Sequence, residues 1–284
     1  MNEASAAQRP AVATFRALHE TGCFVLPNPW DIGTAVSLQR IGFKALATTS
    51  AGFAFTRGKC DGCVPLDEML AHIREIVEAT PLPVNADFQG GYADEPEGVA
   101  ENVKLCLATG VAGLSIEDST GRSDSPLYER ELAIDRIRAA RSAFDASETR
   151  AVLTARCEAW LVVEANPLRM VLDRLTAYVE AGADCLYAPG VSAPDEIAQI
   201  VKTVAPKPVN VLVSGFNHQL SFSQLADLGA RRISVGSGLA LAAWGAFLRA
   251  ARDIKANGVF NLLAGGAASS ELNELFRVGP EVRD

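Results

Sequence analysis

Eight short runs rich in Val, Ile, Leu, Phe and Ala recur along the chain with helical patterns between them, and this alternation limits the possible folds more than any other feature. The runs are Cys23–Pro27, Ala45–Thr49, Pro83–Asp87, Gly113–Glu117, Ala151–Arg156, Cys185–Ala188, Val209–Val213 and Arg232–Gly236. They lack a polar alternation, so each strand is covered on both faces, as in a parallel sheet wrapped by helices. Between them, Val99, Val103, Cys106 and Leu107, and again Leu168, Val171, Leu172, Leu175 and Val179, fall at helical spacing. An open doubly wound sheet usually carries a Gly-rich fingerprint after its first strand, and Pro27-Asn28-Pro29-Trp30-Asp31 is not one. The pattern predicts an α/β fold, a (β/α)8 barrel of the TIM type, as a single domain over residues 1–284. Arg9 to Glu20 is expected as a helix plugging the barrel floor. Residues 239–284 are expected as a C-terminal helical extension, with helices over Leu239–Ala256 and Glu271–Phe276 and with Trp244, Phe247, Phe260, Leu262 and Leu263 as surplus apolar surface. That surface suits either a second subunit or the chain's own barrel.

Composition narrows the partners. A net charge of -8 offers no clustered basic surface for nucleic acid or anionic lipid. The longest nearly uncharged stretch, Ile233–Leu248, falls short of the roughly 20 apolar residues of a membrane helix. Met1–Thr14 lacks the apolar core of a signal peptide. A cytoplasmic protein with a small-molecule partner is expected. Six cysteines are scattered through the chain, which is large enough to fold without disulfides. Cys60-Asp61-Gly62-Cys63 has the spacing of a redox or zinc pair, but no second pair completes a four-ligand zinc site, and inert thiols are the plainer reading.

In such a barrel the loops after the strands build the active site, so the residues at each run's C-terminal end carry the functional information. They are Trp30 and Asp31, Thr49 and Ser50, Asp87, Glu117 and Asp118, Arg156 and Glu158, Tyr187, Asn210 and Ser237. Asp87 and Glu117, from adjacent strands, suit a hard cation: Mg2+ takes one or two protein carboxylates and fills its other positions with water and substrate oxygens. Arg156 could hold a substrate carboxylate bidentately, and Ser50-Ala51-Gly52 would let backbone N–H groups approach an anion. The alternatives are an Arg–Glu network bracing the rim and an ordinary tight turn. His218 is the histidine on the expected active face, either a proton donor or a solvent-facing loop residue; His19 and His72 fall in helices and read as structural. Ser234-Val235-Gly236-Ser237-Gly238 could cradle an anion or simply permit close packing.

At these residues the chain resembles the isocitrate lyase and phosphoenolpyruvate mutase superfamily. Pro27-Asn28-Pro29-Trp30-Asp31, Thr48-Thr49-Ser50-Ala51-Gly52, Asp87 with Gly91-Tyr92, Ile116-Glu117-Asp118 and Ala155-Arg156 follow the family's order and approximate spacing over about residues 15–255. The resemblance implies a (β/α)8 barrel whose subunits exchange a C-terminal helix, hence a homo-oligomer, a dimer or tetramer. It implies chemistry through a pyruvate-like enolate on Mg2+, with Mn2+ as a possible substitute. By resemblance Asp87 and Glu117 serve the metal, directly or through water, and Glu117 also counts among the catalytic residues. Arg156 serves the substrate carboxylate or oxyanion, Ser50, Ala51 and Gly52 the 2-oxo acid end, and Trp30 walls the pocket. Asp61 matches the family's acid on the loop after the second strand, and Asn210 joins the substrate-binding set.

The sequence also departs from the family. Many members carry a further acid two residues before or after the Asp87 position, where this chain has Asn85 and Gln89. The lyases that cleave isocitrate and methylisocitrate carry a Lys-Cys-Gly-His type sequence on the loop after strand four. Here that segment, Ser119–Tyr128, has no Cys, His or Lys. A missing general acid costs about 10²–10⁴ in rate, so a reaction whose second fragment leaves without a positioned acid is favoured. The expected activity is Mg2+-dependent C–C cleavage of a small 2-oxo or 2-hydroxy carboxylic acid, oxaloacetate decarboxylase-like or methylisocitrate lyase-like. The alternatives are a phosphonopyruvate P–C bond mutase or hydrolase and a catalytically silent 2-oxo acid-binding barrel.

Overall fold

The computed structural model describes residues 3–147, 149–162, 167–214 and 219–277. Eight parallel strands form one sheet: β1 (Phe24–Leu26), β2 (Leu46–Ala47), β3 (Val84–Asp87), β4 (Gly113–Glu117), β5 (Val152–Arg156), β6 (Cys185–Tyr187), β7 (Val209–Leu212) and β8 (Arg232–Ser234). Sequence neighbours are sheet neighbours from β2 round to β8, and β8 pairs with β1. The remaining seam closes where the Ala47 N–H donates to the Pro27 carbonyl at 3.0 Å. The chain is thus a (β/α)8 barrel.

The helices are α1 (Glu3–Glu20), α2 (Ile32–Ile41), α3 (Ser50–Thr56), α4 (Leu66–Glu78), α5 (Pro96–Leu107) and α6 (Arg130–Ala146). They continue with α7 (Ala159–Val162), α8 (Leu168–Glu180), α9 (Pro194–Val204), α10 (Phe222–Asp227), α11 (Gly238–Asn257) and α12 (Ser269–Arg277). Their inner faces follow the 3.6-residue period: Met69, His72, Ile73 and Ile76 are buried on α4, and Val171, Arg174, Leu175 and Tyr178 on α8. Each fully buried Leu, Ile or Val contributes roughly 1.5–3 kcal/mol. Leu46 and Val84 point outward to meet Ala35, Leu38 and Ile76, while their neighbours Ala47 and Asn85 turn into the barrel.

The barrel floor is a packed polar layer over an aromatic plug. Arg232, 2% exposed, donates from Nε to Asn210 Oδ1 at 2.8 Å and from Nη2 to Thr154 Oγ1 at 3.1 Å. Beneath it α1 brings Phe15 and His19 edge-on to each other and to Phe24, which accounts for the floor helix read from the sequence. That helix begins at Glu3 rather than Arg9. The second apolar run extends to Thr49, yet β2 ends at Ala47 because Thr49 leaves the sheet to cap α3, accepting a hydrogen bond from Gly52 N–H at 3.2 Å. Beyond β8, Phe247, Phe260, Leu262 and Leu263 are exposed along α11 and the segment after it, and α12 returns to α2, where Phe276 approaches Gly33. Among the described residues no helix is long and apolar enough to cross a membrane.

Candidate active site

At the C-terminal end of the strands, Asp87, Glu117 and Arg156 meet. The three residues close β3, β4 and β5, and register pairs Glu117 directly with Arg156. Arg156 Nη1 lies 3.4 Å from Asp87 Oδ1 and 3.3 Å from Glu117 Oε2, so one nitrogen is shared by both acids. Its Nε donates to Glu158, its guanidinium sits 5.2 Å from the centre of the Tyr187 ring, and Nη2 stays outside these contacts.

Asp87 is the most elaborately held member. Its Oδ2 accepts from both the N–H and the Oγ of Ser50, at 2.8 Å each, and its own N–H donates to Thr48 Oγ1 at 2.9 Å. Ser50 Oγ also lies 3.5 Å from Asp61 Oδ1 across the mouth. Four carboxylates, of Asp61, Asp87, Glu117 and Glu158, therefore gather round a single guanidinium. The surplus of negative charge has consequences. Burial pushes Glu117 up to about 8; the Arg156 charge opposes this, and Glu158, Asp87 and Asp61 reinforce it. The Glu117 side chain keeps 18% of its surface exposed, so the group is reachable and burial acts on it less than it would in a dry core. Burial, then Asp87, raises Asp61; burial likewise raises Glu158, with Arg156 opposing.

The donor chemistry fits a hard divalent cation. Asp87 and Glu117 offer carboxylate oxygens from adjacent strands, and the buried Tyr92 hydroxyl has no protein partner. Burial and then the negative charge of Asp87 push that phenol up, which keeps its O–H protonated. Among the described residues no three His, Cys, Asp or Glu side chains form a metal cage, so a cation here would depend on water and substrate for its other positions.

Other strand-end residues have structural duties. Asp118, 3% exposed, accepts from Glu158 N–H at 2.8 Å, Tyr178 Oη at 2.7 Å and Arg174 Nη1 at 3.0 Å, and so ties β4 to α8. Asp31 caps α2, accepting from Thr34 N–H at 2.7 Å. Asn210 spends its amide within the barrel, on Arg232 and on Ser234 Oγ at 2.9 Å. Ser50-Ala51-Gly52 is not a tight turn but the first turn of α3. Two of its three backbone donors are already used, Ser50 N–H by Asp87 and Gly52 N–H by the Thr49 cap. Gly52 has a packing reason, since a Cβ there would sit 2.5 Å from Thr49 Cγ2, 3.2 Å from Trp30 Cβ and 3.3 Å from Ala240 Cβ. Trp30 thereby stands against α3 at the mouth. His218 lies outside the described residues. His72 is buried in the core and His19 half-buried at the barrel floor, and burial pulls them down to about 4 and about 3.

Glu158, named among the strand ends, and Thr48, within the Thr48–Gly52 motif, contribute to the site although no role for either was read from the sequence. The available signal was position: Glu158 follows Arg156 by two residues, and Thr48 precedes Ser50 by two. A separate surface hollow lined by Arg16, Arg141, Arg150 and Asp184 lies at the opposite end of the strands, where Arg16 and Arg141 share Asp184.

A parallel barrel with acids and one arginine at its C-terminal mouth defines an enzyme of the β/α-barrel class. The phosphoenolpyruvate phosphomutase family pattern matches residues 15–255, and the chain belongs to this family, within the isocitrate lyase and phosphoenolpyruvate mutase superfamily of carbon–carbon lyases and mutases. It is similar to the 2-methylisocitrate lyase of Salmonella typhimurium, with 36% identity over 179 residues, 58% of this chain and 59% of that one. It is similar to the oxaloacetate decarboxylase of Pseudomonas fluorescens, with 29% identity over 238 residues, 81% of this chain and 80% of that one. A crystal structure from Burkholderia cenocepacia, provisionally assigned as a lyase/mutase, superposes with a TM-score of 0.92 at 45% identity, covering 96% of this chain and 98% of that one.

Proposed function

We propose that this enzyme is a Mg2+-dependent lyase that cleaves a C–C bond in a small 2-oxo or 2-hydroxy carboxylic acid through a pyruvate-like enolate, with a 2-oxo diacid such as oxaloacetate as the favoured substrate class. The observation that carries the proposal is the convergence of Asp87 and Glu117 on one nitrogen of Arg156, with Ser50 pinning Asp87. Asp87 and Glu117 would hold the cation, Mg2+ or Mn2+, directly or through water. The bound cation would act as a Lewis acid, neutralising charge that develops on the 2-oxo oxygen.

The protein's own groups do the rest. Ser50 and Thr48 fix the Asp87 carboxylate before substrate arrives, which removes reorganisation from the reactive step. Arg156, through Nη2, receives the substrate carboxylate, and Tyr187 and Glu158 hold its guanidinium plane. Asp61, raised above the usual carboxylate range by burial and Asp87, is the group placed to hold or pass a proton. Trp30 and the first turn of α3 wall the 2-oxo end. The loop at Ser119–Tyr128 closes on itself through a Ser119–Leu127 bridge and is tied to Asp94 by Arg122 at 3.3 Å. Without a Cys, His or Lys there, loss of CO2 is easier to serve than isocitrate-type cleavage. The likeness to an oxaloacetate decarboxylase over 81% of the chain favours the same substrate class. The C-terminal extension, with Phe247 and Phe260 exposed, would bind a second copy of the chain, giving a dimer or tetramer.

The test is incubation with oxaloacetate, methylisocitrate and phosphonopyruvate, each with Mg2+ or with EDTA, followed by assay of pyruvate, CO2 and phosphate. Metal-dependent pyruvate and CO2 from oxaloacetate is the expected result. Phosphate from phosphonopyruvate alone would move the enzyme to P–C chemistry, and no metal-dependent turnover of any of the three would overturn the lyase.

A further inference from the structure

The two cysteines that flank Asp61 are both exposed, whereas Cys106, Cys157 and Cys185 are buried and Cys23 is half-buried. Burial pushes all four of those thiols up, which keeps them protonated and unreactive. An oxidant in solution therefore meets Cys60 and Cys63 first.

Their geometry is that of a closed turn. Cys63 N–H donates to the Cys60 carbonyl at 3.2 Å, and Gly62 has φ +77°, the left-handed value that the third residue of a type II turn requires. The ends of such a turn lie within about 7 Å, and a disulfide spans Cα separations of about 4.4–6.8 Å. The turn is anchored on both sides, because Lys59 N–H donates to the Ala54 carbonyl at 2.9 Å and Val64 is 3% exposed. Asp61, between the cysteines, points its Oδ1 at Gly62 N–H, 2.9 Å away, and at Ser50 Oγ.

We infer that Cys60 and Cys63 form a reversible intrachain disulfide that clamps the turn carrying Asp61, with a small-molecule disulfide such as glutathione disulfide as the oxidant. One cysteine thiolate attacks a glutathione sulfur, forming a mixed disulfide and releasing the first glutathione thiolate. The second cysteine thiolate then attacks the protein sulfur of that mixed disulfide, forming the Cys60–Cys63 bond and releasing the second glutathione. The two cysteines lose two electrons, glutathione disulfide is reduced to two thiols, and the two cysteine protons pass to solvent or to the released thiolates. The importance of Asp61 to turnover rests on the proposed function, but the thiol chemistry does not, so the two can fail separately.

The test treats the native full-length protein with excess glutathione disulfide, then counts free thiols and maps peptides by mass. Loss of two of the six thiols, an internal bridge in the Cys60–Cys63 peptide with two hydrogens fewer, and reversal by dithiothreitol are expected. Cys60→Ser and Cys63→Ser should each stop at a stable glutathione adduct. Amide exchange in the peptide spanning Arg57 to Pro65 should slow in the oxidised protein. A wild-type protein that ends as a glutathione adduct, bridges only between chains, or keeps all its thiols would overturn the disulfide. Unchanged amide exchange in the bridged form would overturn the clamp.

Discussion

Ser50 gives both of its donors, the backbone N–H and Oγ, to the same oxygen of Asp87, at 2.8 Å each. Asp87 Oδ2 is thereby fixed from the first turn of α3, while Oδ1 faces Arg156. A strand-end carboxylate held in this way is oriented before any ligand enters, and the remaining site is organised round it.

Ser50→Ala keeps the N–H contact and removes the hydroxyl. Loss of such a supporting partner typically costs about 10–100-fold in metal affinity or activity. We expect Mg2+ activation to shift to about tenfold higher concentration, with the thermal midpoint nearly unchanged. A Mg2+ titration of turnover beside a melting curve checks both.

Glu117 and Asp118 are neighbours in sequence with opposite jobs. Asp118 is buried against Arg174, and Asp118→Ala should destabilise the fold by about 3–5 kcal/mol by stranding that charge. Glu117→Gln should abolish metal-dependent turnover and leave the urea midpoint close to wild type, because it removes one of four crowded acids. Urea denaturation of the two variants, with turnover measured in parallel, separates the roles.

His72 should make the fold acid-sensitive. Its ring stacks on Phe53 at 3.8 Å and is 2% exposed, and burial pulls it down to about 4 from the usual 6.5, with Asp31 opposing. Below about pH 6.5 the unfolded chain takes up this proton before the folded one does, so stability falls as the pH drops from there toward about 4. The loss reaches roughly 3 kcal/mol at the lower end. His72→Phe keeps the stacking and removes the proton site, so its denaturation midpoint should fall less steeply over that range. Equal slopes for variant and wild type would contradict the assignment.

Much of the barrel was legible because strand and helix periods are direct consequences of which faces are buried: the run Pro83–Asp87 read from the sequence contains β3, one residue longer at its start, and Gly113–Glu117 coincides with β4. Asp87, Glu117 and Arg156 could be singled out because each follows an apolar run at the end where loops meet solvent. What could not be read was the use of each polar group. Ser50 to Gly52 looked like an anion-binding turn, yet the helix cap at Thr49 and the Asp87 carboxylate take the Gly52 and Ser50 N–H groups. Asn210 looked like a strand-end ligand, but its partner Arg232 lies only 22 residues away along the chain and meets it through sheet register, which residue type alone does not encode. Asp118 and Glu117 are likewise indistinguishable until the inward or outward direction of each side chain is known.

The central claim is that Asp87 and Glu117 hold a divalent cation required to cleave a 2-oxo acid. The most direct test is pyruvate release from oxaloacetate by metal-stripped enzyme as Mg2+ is added back, in wild type and in Asp87→Asn, each corrected with an enzyme-free blank because free Mg2+ also promotes this decarboxylation. The account predicts no enzymatic release without metal, saturable restoration by Mg2+ in the wild type, and little or none in Asp87→Asn. Equal release with Mg2+ and with EDTA, or a wild-type Mg2+ response in Asp87→Asn, would contradict it.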